Sequence, residues 1–151
     1  MTIPRDLNSR EHQKFIDIFD QPAVLQALAR AFHKPFASMA RGAGSNQASG
    51  AYDADNFSRA TLIVDLTAVN GSPTSFSLDV KLQMSPDEDG DRWVDVPNGA
   101  ITTITSSPAT AMVFDKPITG ARRVRAVYTL SFTGGTNPTA TFEVDLALSQ
   151  V

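Results

Sequence analysis

The densest group of side chains that could hold a metal ion is the acidic run at residues 86–91 (PDEDGD). Its carboxylates, hard oxygen ligands of the kind Ca²⁺ prefers, are those of Asp87, Glu88, Asp89 and Asp91. The spacing departs from the EF-hand loop, because Gly90 follows directly on an Asp and no Glu closes the loop. We therefore interpret the run as a solvated turn between two strands, and we expect neither a metal nor a cofactor.

A basic cluster, Arg122, Arg123 and Arg125, has the donors to hold phosphate or an acidic partner. On a strand, Arg123 and Arg125 share the outward face. The next predicted strand carries Glu143 and Asp145 on its own outward face, which predicts cross-strand ion pairs between the two. Because this half of the chain has an excess of acids, we expect no nucleic-acid partner.

The residue types needed for catalysis do not form a recognisable constellation. His12 and His33 lie in different segments, without a carboxylate or second histidine at ligand spacing, and we interpret both as solvated surface side chains. The sequence contains no Gly-x-Ser-x-Gly elbow, no phosphate-binding glycine loop followed by Lys, and no cysteine. These observations predict a protein that is not an enzyme. A carbohydrate-binding or adhesion module stays open, with Trp93, Tyr52 or the loops around 86–91 and 133–138 as its binding elements.

Composition narrows the class of protein. The chain has 151 residues, of which 42% are hydrophobic and 19% charged, too apolar for an intrinsically disordered chain. No stretch approaches the roughly 18 apolar residues of a membrane helix, so we expect no membrane partner. Residues 1–8 (MTIPRDLN) lack the apolar core of a secretory signal, which predicts a protein without a signal peptide that is made in a reducing cytoplasm.

The chain divides near residue 50. Residues 1–50 carry six basic and four acidic side chains, whereas residues 51–151 carry seven and twelve. Thirteen of the fourteen threonines, which favour strands, lie beyond residue 60. We therefore predict three parts: a helical N-terminal arm at 1–36, a flexible linker at 37–51 and a β-sandwich domain at 52–151.

Helical spacing supports the arm. Ser9 can cap a turn over residues 10–19 with Phe15, Ile18 and Phe19 on one side. Asp20 and Pro22 can start a second helix, and residues 23–33 (AVLQALARAFH) place Val24, Leu25, Leu28 and Phe32 at helical spacing. Residues 37–50 (ASMARGAGSNQASG) are small and polar without periodicity, which is typical of a linker.

Strict alternation dominates the rest of the chain. Residues 75–84, 123–132 and 139–148 each place apolar side chains at every second position, which predicts antiparallel strands with one face on a core. The further predicted strands are residues 61–69, 92–96, 100–105 and 110–114. About seven strands separated by turn dipeptides such as Asn70-Gly71 and Gly134-Gly135 predict an antiparallel β-sandwich, immunoglobulin-like or jelly-roll in type.

Two pieces of the chain resemble small virion structural proteins of tailed bacteriophages. Residues 6–19 (DLNSREHQKFIDIF) are similar to their acidic–His–x–Lys–Phe start. The matching positions are Glu11, His12, Lys14 and Phe15. The second piece resembles the β-sandwich proteins of phage head and tail surfaces, including capsid decoration proteins. It consists of SGAY at 49–52, ATLIVDLTA at 60–68, the alternating strand at 75–84, WVDVP at 93–97, ARRVRAVY at 121–128 and GGTNP at 134–138.

The resemblance implies a non-enzymatic virion protein that decorates and stabilises a capsid. Its partners would be the major capsid protein or other virion proteins, together with further copies of itself, and its location the virion. The arm would carry the partner contacts, at Lys14, Phe15, Phe19, Val24, Leu28 and Phe32. The helical pattern at residues 23–33 departs from the family, where strand-like residues are expected. A head–tail connector, tail-tube or fibre-adaptor role stays open.

Overall fold

The computed structural model describes residues 30–89 and 91–150. They form nine β-strands. The strands are β1 (Arg30–Arg41), β2 (Gly44–Ala48), β3 (Tyr52–Asp53), β4 (Arg59–Asn70), β5 (Ser75–Ser85), β6 (Val94–Ala100), β7 (Ala109–Pro117), β8 (Arg123–Thr133) and β9 (Thr139–Ser149). The described residues contain no helix with the length and apolar character that a membrane span requires.

The strands form two antiparallel sheets that pack face to face. Sheet I has the order β1-β9-β4-β7, and sheet II has the order β2-β8-β5-β6 with β3 also paired to β8. The chain passes repeatedly from one sheet to the other, and consecutive strands share a sheet only at β2–β3 and at the β5–β6 hairpin. This order is that of a jelly roll. The predicted all-β sandwich is confirmed.

The alternation in the sequence builds the core. On β5, β8 and β9 the side chains predicted to point inward are buried or half-buried, and most of the side chains between them are half-buried or exposed, whereas Val127 of β8 is buried as well. Fully buried members include Leu62, Leu66, Leu78, Leu82, Leu130, Phe142, Leu146 and Leu148. Removing these apolar surfaces from water is the main driving force for closing the two sheets on each other.

An aromatic chain joins the edge strand β1 to this core. The Tyr128 ring meets the Phe142 ring edge-on, with centroids 5.1 Å apart, and meets Phe36 of β1 at 4.9 Å. The Arg41 guanidinium lies 4.7 Å from the centroid of Phe142 and donates a 2.9 Å hydrogen bond to the Phe142 carbonyl oxygen. Burial lowers the pKa of Arg41 from its ordinary value. The middle of β1 is therefore tied to β8 and its last residue to β9.

The predicted helix and linker were wrong for the described residues. Residues 30–33 belong to β1 and not to a helix, and residues 37–51 contain the second half of β1 and all of β2. The sandwich thus begins at Arg30, not at residue 52. The reason is tertiary: β1 pairs with β9 from Arg30 opposite Ser149 to Arg41 opposite Ala140, and these backbone hydrogen bonds override local helix propensity.

The remaining strand predictions need smaller corrections. The strand predicted at residues 92–96 is β6, which starts at Val94 and continues to Ala100. No separate strand forms at residues 100–105, where Ala100 is the last residue of β6 and Ile104 forms an isolated bridge to Leu78. Counting β1, β2 and β3, the described residues hold nine strands and not about seven.

Candidate interaction surface on the outer face of sheet I

The predicted partner-binding residue that the structure describes is Phe32, and its side chain is 77% exposed. It lies on β1, the edge strand of sheet I, and points away from the core. The other predicted contact residues, Lys14, Phe15, Phe19, Val24 and Leu28, lie outside the described residues. Phe32 is thus part of a sheet surface and not of a helical arm.

Phe32 belongs to a row of side chains that crosses the outer face of sheet I. Phe32 pairs with Ala147 of β9, and Ala147 pairs with Thr61 of β4. On the far edge strand, β7, Phe114 lines the same groove and is 69% exposed. Two large exposed rings therefore flank Ala147 and Thr61, and the rest of the lining is Arg30, Asp115, Leu148 and Ser149. The groove has a volume of about 350 Å³.

The neighbouring row of outward side chains, two residues further along β4, extends the apolar area. Ile63 of β4 lies between Asp145 of β9 and Met112 of β7. Met112 is 53% exposed. Contiguous exposed apolar side chains of this kind are uncommon on a protein that acts alone in water and mark surfaces that contact something else. We call Phe32, Thr61, Ile63, Met112, Phe114 and Ala147 the apolar face.

Below the apolar face lies a group of carboxylates that sequence reasoning missed as a group. Asp65 pairs across the sheet with Glu143, and oxygens of Asp65, Glu143 and Asp145 lie within 4.8 Å of one another. Lys34 Nζ lies 2.8 Å from Glu143 and 3.0 Å from Asp145. The hydrogen bond from Lys34 to Glu143, followed by that to Asp145, raises the pKa of the lysine above its ordinary value. The Thr110 hydroxyl donates to Asp65 at 2.7 Å.

The predicted ion pairs between the arginine cluster and Glu143 and Asp145 do not form. Strand β8 lies in sheet II and β9 in sheet I, so the two outward faces point in opposite directions. Arg122 instead pairs with Asp55 at 3.2 Å. Arg123 Nε donates to the Glu88 carbonyl oxygen at 3.0 Å. The arginines thus anchor neighbouring loops and form no common anion site.

The acidic turn is held by its own arginine. Arg92 donates two hydrogen bonds of 2.7 Å to the two carboxylate oxygens of Asp87. These bonds lower the pKa of Asp87 below its ordinary value. Glu88 and Asp89 are exposed. Arg92 thus binds both oxygens of Asp87, the first carboxylate of the candidate calcium site, in a bidentate ion pair.

The aromatic side chains considered for sugar stacking each have a ring face covered. The Arg125 guanidinium lies 4.2 Å from the centroid of Trp93, and its Nε donates to Gln83 at 2.9 Å. The Tyr52 ring stacks on His33 with centroids 4.2 Å apart. His33 therefore packs between strands and is not the solvated helix-surface histidine that the sequence predicted.

Phe114 and Met112 were missed as surface residues, although a signal for them exists. Residues 110–114 were predicted as a strand, and only Val113 of the three large apolar side chains there is buried. Period-two alternation puts Met112 and Phe114 on one face and Val113 on the other. If Val113 had been assigned to the core, the alternation would have predicted that Met112 and Phe114 are exposed.

Comparison with known proteins gives structural similarity only. No protein-family model matches the sequence, and no curated protein matches it. A protein derived from the SPBc2 prophage, YomS, is 17% identical over 78% of this chain and 92% of its own, with a TM-score of 0.42. A capsid structure of the Helicobacter pylori bacteriophage KHP30 is 15% identical over 81% and 94%, with a TM-score of 0.41.

A carbohydrate-binding domain has the same level of similarity. The CBM36-1 domain of a xylanase from the hindgut metagenome of Trinervitermes trinervoides is 13% identical over 81% of this chain and 98% of its own, with a TM-score of 0.40. At these levels the similarities assign no function, and the chain is established as a jelly-roll β-sandwich with an apolar outer face on sheet I.

Proposed function

We propose that this chain is a non-enzymatic structural protein of a bacteriophage virion that decorates and stabilises the capsid. The observation that carries the proposal is the apolar face, with Phe32 at 77% and Phe114 at 69% exposure on a compact jelly roll. Jelly rolls are a recurrent architecture of viral capsid proteins. The resemblance of residues 6–19 and of the strand motifs to phage virion proteins supports the same class.

Position in the chain connects the two predicted parts of the docking surface. Residues 1–29 join the sandwich at Arg30, two residues before Phe32. The segment that carries the predicted arm contacts Lys14, Phe15 and Phe19 therefore joins the described domain two residues before Phe32 of the apolar face. Arm and face together can form one continuous surface against a capsid lattice, with the acidic residues elsewhere keeping the particle surface soluble.

The polar side chains of the sandwich favour a structural role over a catalytic one. The carboxylates of Asp87, Glu143 and Asp145 are engaged by Arg92 and Lys34. One ring face of Trp93 is occupied by Arg125 and one ring face of Tyr52 by His33, which leaves each ring a single face for stacking on a sugar. We therefore favour protein partners, namely the major capsid protein and other copies of this chain.

Binding to capsids tests the proposal. The full-length protein, mixed with purified capsids of the virus that encodes it, is expected to co-sediment with them. Two variants, Phe32→Ser and the arm double variant Phe15→Ser/Phe19→Ser, should each lose at least tenfold in affinity. Thr102→Asp, a substitution at an exposed position outside the face, is the control and should bind normally.

Failure of the wild-type protein to co-sediment would overturn the decoration role. A closed ring that binds the portal or tail and ignores the capsid surface would move the assignment to a connector or tail component. Deletion of the whole predicted arm, residues 1–36, would not test the role of the arm alone, because it would also remove residues 30–36 of β1.

A further inference from the structure

A row of two arginines borders the apolar face at one end. Arg30 of β1 and Arg59 of β4 both pair with Ser149 of β9, so the three residues lie side by side across sheet I. Arg30 is exposed, and Arg59 Nε lies 3.4 Å from a carboxylate oxygen of Asp115. The two guanidinium groups and the one carboxylate leave this end of the face, which we call the basic end, with an excess of positive charge.

The opposite end of the apolar face is acidic. The carboxylates of Asp65, Glu143 and Asp145 lie there together, and Lys34 is the cation that contacts two of them. Three carboxylates and one ammonium leave an excess of negative charge, and we call this group the acidic end. A face with opposite charges at its two ends is electrostatically complementary to an inverted copy of itself.

The spacing along β4 defines how the inverted copy fits. The outward residues of β4 are Arg59, Thr61, Ile63 and Asp65, and they alternate with buried ones. A twofold axis that crosses the strands at the level of Leu62 reverses the strand direction and places Arg59 against Asp65 of the partner subunit. A twofold axis parallel to the strands would instead place each end against itself, with like charges facing each other.

The axis across the strands also matches the large apolar side chains of β7. Phe114 lines the groove beside Thr61, and Met112 pairs with Ile63. Because the axis exchanges these two rows, Phe114 of one copy lies over Met112 of the partner subunit. Thioether sulfur against an aromatic ring is a favourable contact.

On β1 the same axis places an aromatic ring against a cation. Phe32 lies in the row of Thr61, and Lys34, two residues further along β1, lies in the row of Ile63. Phe32 of one copy therefore lies over Lys34 of the partner subunit, where an ammonium group is attracted to the ring face. The exposed rings on both edges of sheet I thus meet groups that suit them.

The overlapping area is large enough for a specific contact. Four strands at about 4.8 Å make sheet I about 19 Å wide, and four rows of outward side chains cover about 27 Å along the strands. Each copy then contributes about 500 Å² in projection, or about 1,000 Å² for the pair, which is where specific interfaces begin. The projecting rings of Phe32 and Phe114 add to this area.

We infer that the apolar face joins two copies of this chain in a twofold dimer, with the basic end of each copy against the acidic end of the other. The occupant is a second copy because both halves of the charge pattern lie on one face. The inference goes beyond the proposed function, since it concerns the free protein before a capsid is present. Docking on a capsid through this face would require the second copy to leave.

Exchanging the two facing charges tests the dimer. Analytical ultracentrifugation of the full-length protein without capsids should show a monomer–dimer equilibrium with a Kd of about 10 µM or below. Asp65→Arg and Arg59→Asp should each raise this Kd at least tenfold, because like charges then face each other across the interface. The double variant Arg59→Asp/Asp65→Arg restores opposite charges and should return the Kd to within about threefold of wild type.

The matched control for Asp65→Arg is Asp79→Arg. Asp79 lies at an outward position of β5, on the outer face of sheet II. It accepts a hydrogen bond from the Thr103 hydroxyl, as Asp65 does from the Thr110 hydroxyl. Asp79→Arg should therefore dimerise like wild type, and circular dichroism should show the same strand content in every variant.

Cross-linking gives a second readout that leaves the charges unchanged. The chain has no cysteine, so Ile63→Cys introduces a single thiol one residue from the axis. A short thiol-specific cross-linker should join two full-length chains through this position. Ser131→Cys, at an exposed position on the outer face of sheet II, should give at least tenfold less product.

The remaining outcomes overturn the inference. Wild-type protein that stays monomeric at about 100 µM would remove the dimer. A double variant that dimerises no better than the single variants would remove the pairing of basic and acidic ends, as would equal cross-linking of Ile63→Cys and Ser131→Cys. Because these measurements contain no capsids, a monomer that co-sediments with capsids would overturn the dimer and leave the proposed function standing.

Discussion

Phe32 and Phe114 lie on the two edge strands of sheet I, β1 and β7, and line opposite sides of one groove. Both rings point away from the core and are mostly exposed. The two strands between them, β9 and β4, contribute Ala147 and Thr61, whose small side chains leave a groove between the two rings. A sheet that buries one face in the core thus presents an apolar surface on its other face, and this surface carries the proposed function.

The core should respond strongly to truncation at its centre. Phe142 is fully buried and meets Tyr128 edge-on. Phe142→Ala is expected to lower the free energy of unfolding by about 3–5 kcal/mol, because it removes a large apolar side chain and leaves a cavity. Val94→Ala, at a side chain that is 51% exposed, should cost about 0.5 kcal/mol. Urea unfolding of the two variants measures the difference, and equal costs would contradict the assigned core.

Two glycines with the same backbone angle should differ in their tolerance of a side chain. Gly71 and Gly120 both have φ of +87°. A Cβ at Gly71 would lie 2.6 Å from the Cα of Pro138, whereas nothing lies within 4 Å at Gly120. Gly120→Ala should cost about 1 kcal/mol for the left-handed conformation. Gly71→Ala should cost about 3 kcal/mol, because the clash adds to that strain. Thermal denaturation compares the midpoints of the two variants. Indistinguishable midpoints would contradict the close packing of the turn at Gly71 against the loop that contains Pro138.

Arg125 should control the fluorescence of the chain's single tryptophan. Its guanidinium covers one face of Trp93. Arg125→Lys keeps the charge but loses the planar group, so the indole should meet more water and its emission should shift to longer wavelength, with a loss of about 1 kcal/mol in stability. Arg123→Lys is the control, since Arg123 binds the Glu88 carbonyl oxygen instead. An unshifted emission maximum in Arg125→Lys would rule out the stacking.

Acid should weaken the fold partly through Asp87 and Asp95. Hydrogen bonds from Arg92 lower the pKa of Asp87, and a hydrogen bond from Gln83, followed by one from Lys81, lowers the pKa of Asp95. A carboxyl with a lowered folded-state pKa contributes stability above its unfolded pKa of about 4 and loses it as the pH falls through the folded value. Stability should therefore drop below about pH 4.

The variant Asp87→Asn isolates one of these groups. It should be less stable than wild type at neutral pH, and the two stabilities should converge as the pH falls below about 4, since the wild-type carboxyl is then protonated as well. Denaturant titrations at several pH values measure this. A constant gap between the two proteins down to pH 2 would contradict the ion pair with Arg92.

The long alternating strands could be predicted from the sequence because their signal is local. The inward positions of β5, β8 and β9 follow from period two alone, and the structure buries or half-buries all of them. Strand β1 was not predicted, because its register with β9 shifts between His33 and Phe36 and again between Phe36 and Met39. Each shift breaks the alternation, and Pro35 lies within the first.

The pairing of strands could not be predicted in the same way. β8 and β9 are consecutive in the chain, and the sequence suggested neighbours with paired charges. The structure places them in different sheets, so that the partner of Glu143 and Asp145 is Lys34 of β1. Which strand lies beside which depends on contacts between distant residues, and a single sequence carries little information about them.

The measurement that tests the central claim most directly is co-sedimentation of the purified full-length protein with capsids of the virus that encodes it, after light scattering has fixed its mass in solution. The account predicts saturable binding at a copy number commensurate with the capsid lattice, and its loss in Phe32→Ser. Protein that stays in the supernatant at saturating concentration, or that binds equally well with Phe32→Ser, would contradict the proposed docking through the apolar face.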